Sequence, residues 1–163
     1  MLTKSPEVSV VMPVYNREKY VQNAVQSILD QTFSNFEFII IDDGSIDSTI
    51  QIIKSFHDKR IRLVKKSENC GNFTVRNEGM KMAVGKYICV MDSDDIALPN
   101  RIQKQFDFME ANTKFGLCGS FAQVLNSDEI ITAPEDYDEI KVWSMSNIMF
   151  RHPTVFIRKE FLT

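Results

Sequence analysis

The sequence predicts an α/β fold, a three-layer α/β/α sandwich with a mostly parallel central sheet. Two observations carry this. Short β-branched apolar runs alternate with segments whose apolar residues recur at the helical period. The runs are also apolar at successive rather than alternate positions, as in strands that helices cover on both faces.

Val8 to Val14 reads as the first such strand. From Glu18 to Gln31 the period changes, and Val21, Ala24, Val25, Ile28 and Leu29 form one helical stripe with Asn16 placed as its N-cap. Phe36 to Ile41 is the second strand, followed by Asp42-Asp43-Gly44-Ser45. Ile50, Ile53 and Phe56 mark a helix, Ile61 to Val64 a third strand, Asn72 to Val84 another helix, and Lys86 to Met91 a fourth strand. Ile102, Phe106 and Met109 then place a helix with Pro99 near its first turn, where a missing N–H costs nothing. Beyond residue 112 the pattern weakens. Phe115 to Leu125 reads as one more strand despite Gly116 and Gly119, Asn126 to Trp143 as polar loop or short helix, and His152 to Arg158 as a final strand with an irregular start at Pro153.

A length of 163 residues predicts one domain spanning 1–163, and 44% hydrophobic with 25% charged residues is ordinary for a soluble globular protein. A net charge of −3 with no Lys/Arg block argues against a nucleic-acid binder. Cys70, Cys89 and Cys118 are scattered, with no C-x-x-C pair, and read as reduced thiols of a cytoplasmic protein, the last two in core strands. Neither a signal-peptide core nor a membrane-spanning run is present. Peripheral attachment to the inner face of a membrane and homodimer formation stay open on this composition.

The chemistry concentrates at strand ends. Tyr87 to Val90 leads into Met91-Asp92-Ser93-Asp94-Asp95, three carboxylates within one short turn. Carboxylates so close repel one another unless a cation neutralises them. Asp oxygens suit Mg²⁺ or Mn²⁺, ions that take their other ligands from water and phosphates. The alternative is that Asp94 and Asp95 cap the next helix. In open parallel sheets ligands bind beyond the carboxyl ends of strands, where strand order reverses. Pro13-Val14-Tyr15-Asn16 and Asp42-Asp43-Gly44-Ser45 stand at two further such ends. Tyr15 offers a face for a nucleobase, Asp43 an acceptor for a base N–H, and Asp92 and Asp94 oxygens for ribose and metal. Taken singly, a strand-end Tyr more often packs than stacks, and Asp-Gly is a common turn.

Val8 to Asn16, Ser27-Ile28-Leu29-Asp30-Gln31-Thr32, Ile41 to Thr49, Arg76-Asn77, Gly85-Lys86-Tyr87-Ile88 and Asp92 to Asp95 together resemble the family 2 inverting glycosyltransferases of the GT-A, Rossmann-like fold. The match in order and spacing runs from about Val8 to about Met109. The resemblance implies transfer of a sugar, with inversion, from a nucleoside-diphosphate-sugar donor, usually uridine-linked. The acceptor would be a saccharide or lipid-linked hydroxyl in polysaccharide, lipopolysaccharide or capsule synthesis, and Mn²⁺ or Mg²⁺ would bridge the diphosphate. It places Pro13, Tyr15, Asp43, Arg76 and Asp92 at the nucleotide, Asp94 with Asp92 at the metal, and His152 in the stretch approaching donor and acceptor. Inversion needs a carboxylate base. The family's base lies downstream of the D-x-D, so it is expected beyond Thr163, in a longer enzyme of which this chain is an N-terminal part. Glu135, Asp136, Asp138 and Glu139 match no family motif and read as a solvated loop.

Dehalogenase-like phosphatases and receiver domains need an acidic residue after strand one, where Pro13-Val14-Tyr15-Asn16 stands. Sugar-phosphate nucleotidyltransferases need a glycine-rich basic loop there. The serious alternative is a catalytically incomplete module that binds the nucleotide-sugar.

Overall fold

The computed structural model describes residues 5–136, 138–140 and 150–162. Its first four strands, β1 (Val8–Val14), β2 (Phe36–Asp42), β3 (Ile61–Lys65) and β4 (Tyr87–Val90), pair in parallel in the order β3-β2-β1-β4. Every residue of β1 and β4 is buried, as unbroken apolar runs predict for strands covered on both faces. The sheet continues through β8 (Phe156–Arg158), antiparallel to β4, to its edge strand β5 (Leu117–Cys118).

The helices close both faces. Val21, Ala24, Val25 and Ile28 of α1 (Val21–Leu29), Ile53 of α2 (Thr49–Lys54), and Ile102 and Met109 of α4 (Arg101–Ala111) pack with Val10, Met12, Phe38 and Ile40 on one face. Val75 and Met80 of α3 (Asn72–Met82) pack with Val11, Ile39, Ile41 and Ile88 on the other. The alternation of strand residues between these two clusters is the period-2 geometry of a pleated sheet. Gly79 lets α3 approach closely, since a Cβ there would lie 3.0 Å from Ile41 Cδ1 and closer still to Val11 Cγ1.

Several expectations are corrected. Asn16 does not cap α1. It adopts φ 49°, its N–H donates to Ser45 Oγ at 2.9 Å, and its Oδ1 accepts from Ile46 N–H at 3.0 Å. The left-handed conformation, which Asn tolerates, turns it toward the loop after β2, and α1 begins only at Val21. Pro99 does stand near the first turn of α4, one residue ahead of the N-cap Asn100, with its carbonyl taken by Thr32 N–H at 2.8 Å. The strand expected over Phe115 to Leu125 splits into β5 and β6 (Ala122–Gln123), the latter paired with β7 (Ile130–Ile131) in a separate hairpin. Both glycines of that stretch face rings: a Cβ at Gly116 would stand 3.2 Å from the Phe161 ring, and one at Gly119 closer still to the Phe150 ring. His152–Thr154 is a 3-10 turn, and only Phe156–Arg158 is strand. Within the segment expected as loop or short helix, Asn126 to Trp143, Ile130–Ile131 form β7 and residues 138–140 are helical, while 137 and 141–143 lie outside the described residues.

Gly85 marks the tightest backbone approach. Its N–H donates to Ser9 Oγ at 2.9 Å, and Ser9 Oγ donates to Glu37 Oε1 at 2.6 Å. A Cβ at Gly85 would stand 2.7 Å from Ser9 N and 2.8 Å from Val8 C, both backbone atoms of β1. Gly85→Ala must therefore move the chain, and a loss of about 2 kcal/mol is expected. Urea unfolding checks it, and a change below about 0.5 kcal/mol would show that the turn shifts freely.

Candidate functional site

Strand order reverses between β1 and β4: from β1 the chain moves outward to β2 and β3, then returns to the other side of β1 for β4. A crevice opens there at the strands' carboxyl ends. A cleft of about 340 Å³ occupies it, lined by Pro13 at the end of β1, Tyr15 and Arg17 after it, Asp43 after β2, Asn69 before α3 and Asn72 at its first position, and Asp92 and Asp94 after β4. Three strand ends far apart in sequence thus meet at one place.

Tyr15 is 39% exposed at the cleft edge, a position open to stacking and not one buried for packing alone. Asp43 is almost fully buried. Its Oδ1 accepts from Cys70 N–H at 2.7 Å and its Oδ2 from Gly71 N–H at 2.9 Å, so it holds the loop that forms the far wall. Gly44, at φ 77°, keeps that loop close: a Cβ there would stand 2.9 Å from Glu68 C. Asp42 turns inward, its Oδ2 accepting from Ser45 N–H at 3.1 Å while its buried Oδ1 accepts no hydrogen bond from the described residues.

The aspartates after β4 do not cap a helix, because α4 starts only at Arg101 with Asn100 as its cap. Asp92 and Asp94 are paired with arginines instead. Arg76 donates to Asp92 Oδ1 at 2.7 Å, and Arg17 Nε to Asp94 Oδ2 at 3.2 Å. Loss of hydration, then repulsion from Asp92 and Asp94, holds the Asp95 carboxyl above the ordinary carboxylate range. The turn is thus electrostatically loaded with negative charge.

Arg17 and the two asparagines escaped the sequence reading. Arg17 also donates to the Tyr15 and Asn16 carbonyls at 3.2 Å, which fixes its guanidinium at the cleft. The available signal was its place, two residues past Tyr15, as a cation in a strand-end loop facing an acidic turn. Arg76 stands behind the cleft wall and not among its lining residues, buried on α3 between Asp92 and His152. Glu135, Asp136, Asp138 and Glu139 are all exposed, and Asp136 Oδ1 accepts from Asp138 and Glu139 N–H groups as a helix cap.

The residues present suit a hard divalent ion. Among the described residues no three His, Cys, Asp or Glu side chains converge to hold an ion unaided. Mg²⁺ and Mn²⁺ do not require that, since they accept one or two carboxylates plus phosphate oxygens. Asp92 Oδ2 and Asp94 Oδ1 accept no hydrogen bond from the described residues, so each aspartate keeps an oxygen for a ligand. Cys89 and Cys118 do not contribute: burial raises both thiols, Cys118 to about 12.

A doubly wound sheet with acidic strand ends gathered at its switch point is the GT-A, Rossmann-like architecture of nucleotide-sugar transferases. Residues 1–349 of S. aureus TarS share it, with a TM-score of 0.80 and 25% identity over 96% of this chain and 48% of that one. The model of glycosyl transferase family 2 matches residues 9–162, and the chain belongs to that family. An uncharacterised glycosyltransferase of Methanocaldococcus jannaschii is 38% identical over 96% of this chain and 57% of the relative. WfgD of Escherichia coli, a UDP-Glc:α-D-GlcNAc-diphosphoundecaprenol β-1,3-glucosyltransferase, is 34% identical over 76% of this chain and 49% of its own length. The chain therefore spans about half the length of such relatives. TuaG of Bacillus subtilis, named as a putative teichuronic acid biosynthesis glycosyltransferase, is 34% identical over 98% of this chain and 65% of its own length. Among the described residues no helix is long and apolar enough to cross a membrane.

Proposed function

We propose that residues 1–163 form one domain, the donor-binding part of an inverting glycosyltransferase. It would pass a sugar from a uridine-diphosphate-linked donor to a hydroxyl of a saccharide or lipid-linked glycan. The observation that carries the reading is the convergence of Tyr15, Asp43, Asp92 and Asp94 on one cleft at the switch point. WfgD's named donor is UDP-Glc, which supports a uridine-linked donor.

In this reading Tyr15 stacks on the base and the Asp43 carboxylate accepts its N–H from a wall already organised by Cys70 and Gly71. Asp92 serves ribose and metal, and Asp94 the metal. Mn²⁺ or Mg²⁺ held there would stabilise, as a Lewis acid, the charge that develops on the leaving diphosphate. Arg17 faces the same negative charge from the opposite loop, and its guanidinium is suited to a phosphate oxygen once a metal ion has taken over Asp94.

The test is titration calorimetry with UDP, GDP and ADP in the presence of Mn²⁺. UDP is expected to bind more tightly than ADP by about 1–3 kcal/mol, the worth of one or two directed hydrogen bonds. Asp43→Asn, which keeps an acceptor for one loop N–H, should shrink that gap more than it weakens binding of all nucleotides. Equal affinities for the three would remove the base assignment and leave the metal assignment standing.

A further inference from the structure

Arg76, His152 and Asp92 form a chain of contacts that the donor-site reading does not require. Arg76 is 6% exposed, one of its terminal nitrogens donates to Asp92 Oδ1 at 2.7 Å, and the other stands 3.1 Å from His152 Nδ1. A guanidinium has five N–H donors and no acceptor. The contact therefore makes Nδ1 of His152 the acceptor, which leaves the ring proton on Nε2. His152 belongs to the 3-10 turn that leads into β8, 76 positions from Arg76, and it is exposed. The turn is itself anchored: Thr154 O accepts from Gln105 Nε2 at 2.7 Å, and Thr154 Oγ1 donates to Arg151 O at 2.8 Å. Both ends of the chain of contacts are thus held by the fold, Asp92 at the end of β4 and His152 on an anchored turn.

We propose that Arg76 is a positioning residue. It orients Asp92 and fixes His152 as the Nε2–H tautomer, so that His152 presents a neutral N–H donor to an anionic oxygen of the donor diphosphate. Resting on the proposed function, this assigns a phosphate-contacting group that comes from the antiparallel extension of the sheet and not from the parallel strand ends. An imidazole left to choose its tautomer would offer an N–H at Nε2 only part of the time. With Nδ1 engaged, the donor is set before the ligand arrives, the kind of preorganisation that makes an electrostatic contact effective. Arg76 thereby links the acidic turn to the one described histidine at this end of the sheet.

The chain holds only two histidines, His57 and His152, so long-range ¹H–¹⁵N correlation spectra resolve the tautomer directly, with a His57→Gln variant for assignment. The wild type is expected to show His152 with Nδ1 unprotonated and Nε2 protonated. Arg76→Met should average the two tautomers, and Arg76→Lys, which keeps the charge with a single nitrogen, covers the case in which Met does not fold. UDP affinity with Mn²⁺ supplies the second arm. Gln places its amide near the position of Nε2 and Asn near that of Nδ1, so His152→Gln should stay near wild type while His152→Asn loses about tenfold, the worth of one charge-assisted hydrogen bond. A protonated Nδ1 in the wild type, or an unchanged tautomer in both Arg76 variants, overturns the positioning role. Equal losses in the Gln and Asn variants overturn the diphosphate contact. If UDP does not bind the wild type at all, the proposed function falls with that contact, and the tautomer result still decides the role of Arg76.

Discussion

Replacing Asp94 with alanine is expected to remove the Mn²⁺-dependent part of UDP binding and to leave the fold intact. Its side chain is 46% exposed, and its one described partner is Arg17, itself 42% exposed. A pair so open to water contributes little to stability. Removing a charge from a turn where Asp95 already feels repulsion from Asp92 and Asp94 offsets even that loss. Unfolding free energy should therefore change by less than about 0.5 kcal/mol. Metal-dependent affinity should fall at least ~10–100-fold, the range reached when even the outer partners of a metal ligand are mutated. Asp92→Ala is the less clean experiment, because it also strips the buried Arg76 of its carboxylate. Titration calorimetry with and without Mn²⁺ reads the difference. An Asp94→Ala protein that keeps the full Mn²⁺-dependent gain would take the acidic turn out of metal binding.

Arg158→Ala is expected to have the opposite profile, a large stability loss with nucleotide affinity preserved in the fraction that stays folded. Arg158 is 5% exposed, and its guanidinium donates to Tyr87 Oη and to Met109 O at 2.9 Å each. It also lies over the Tyr87 ring, 5.1 Å from the centroid, so it ties β8 to the start of β4 and the end of α4. Truncation would leave Tyr87 Oη, Met109 O and Phe115 O without this donor and open space beside an aromatic cluster of Tyr87, Phe106 and Phe156. A loss of about 3 kcal/mol follows from unsatisfied buried groups and lost packing. Tyr87 opens β4 while Asp92 follows its end, so the binding cleft lies at the far end of the strand. Urea unfolding should show a lower midpoint with unchanged slope, and a shift worth less than 1 kcal/mol would show that this guanidinium is replaceable by water.

The parallel core was legible because its signals are local. Val8–Val14 coincides with the apolar run, and the stripe Val21, Ala24, Val25, Ile28 is buried as its spacing requires. Legibility failed where a residue's role depends on distant atoms. Asn16 carries every mark of a helix cap, yet Ser45 and Ile46 draw it across to the neighbouring loop. The segment after residue 112 misled for a related reason: Gly116 and Gly119 are set by the Phe161 and Phe150 rings they face, contacts that periodicity does not record. Asp43 was legible as a carboxylate at a strand end, but its hold on Cys70 and Gly71 was not.

By itself the sequence determined the layered α/β architecture and the fact that carboxylates and an aromatic ring stand at strand ends. Both follow from short-range periodicity and from where each apolar run stops. Only the tertiary structure decided which strand ends share a crevice, because the order β3-β2-β1-β4 depends on how the helices pack and not on any one segment. It also decided the partners of the acidic turn. Arg17 meets Asp94 across 77 positions and Arg76, the partner of Asp92, meets His152 across 76, and groups so far apart in the chain are brought into contact only by the packing of the elements that carry them.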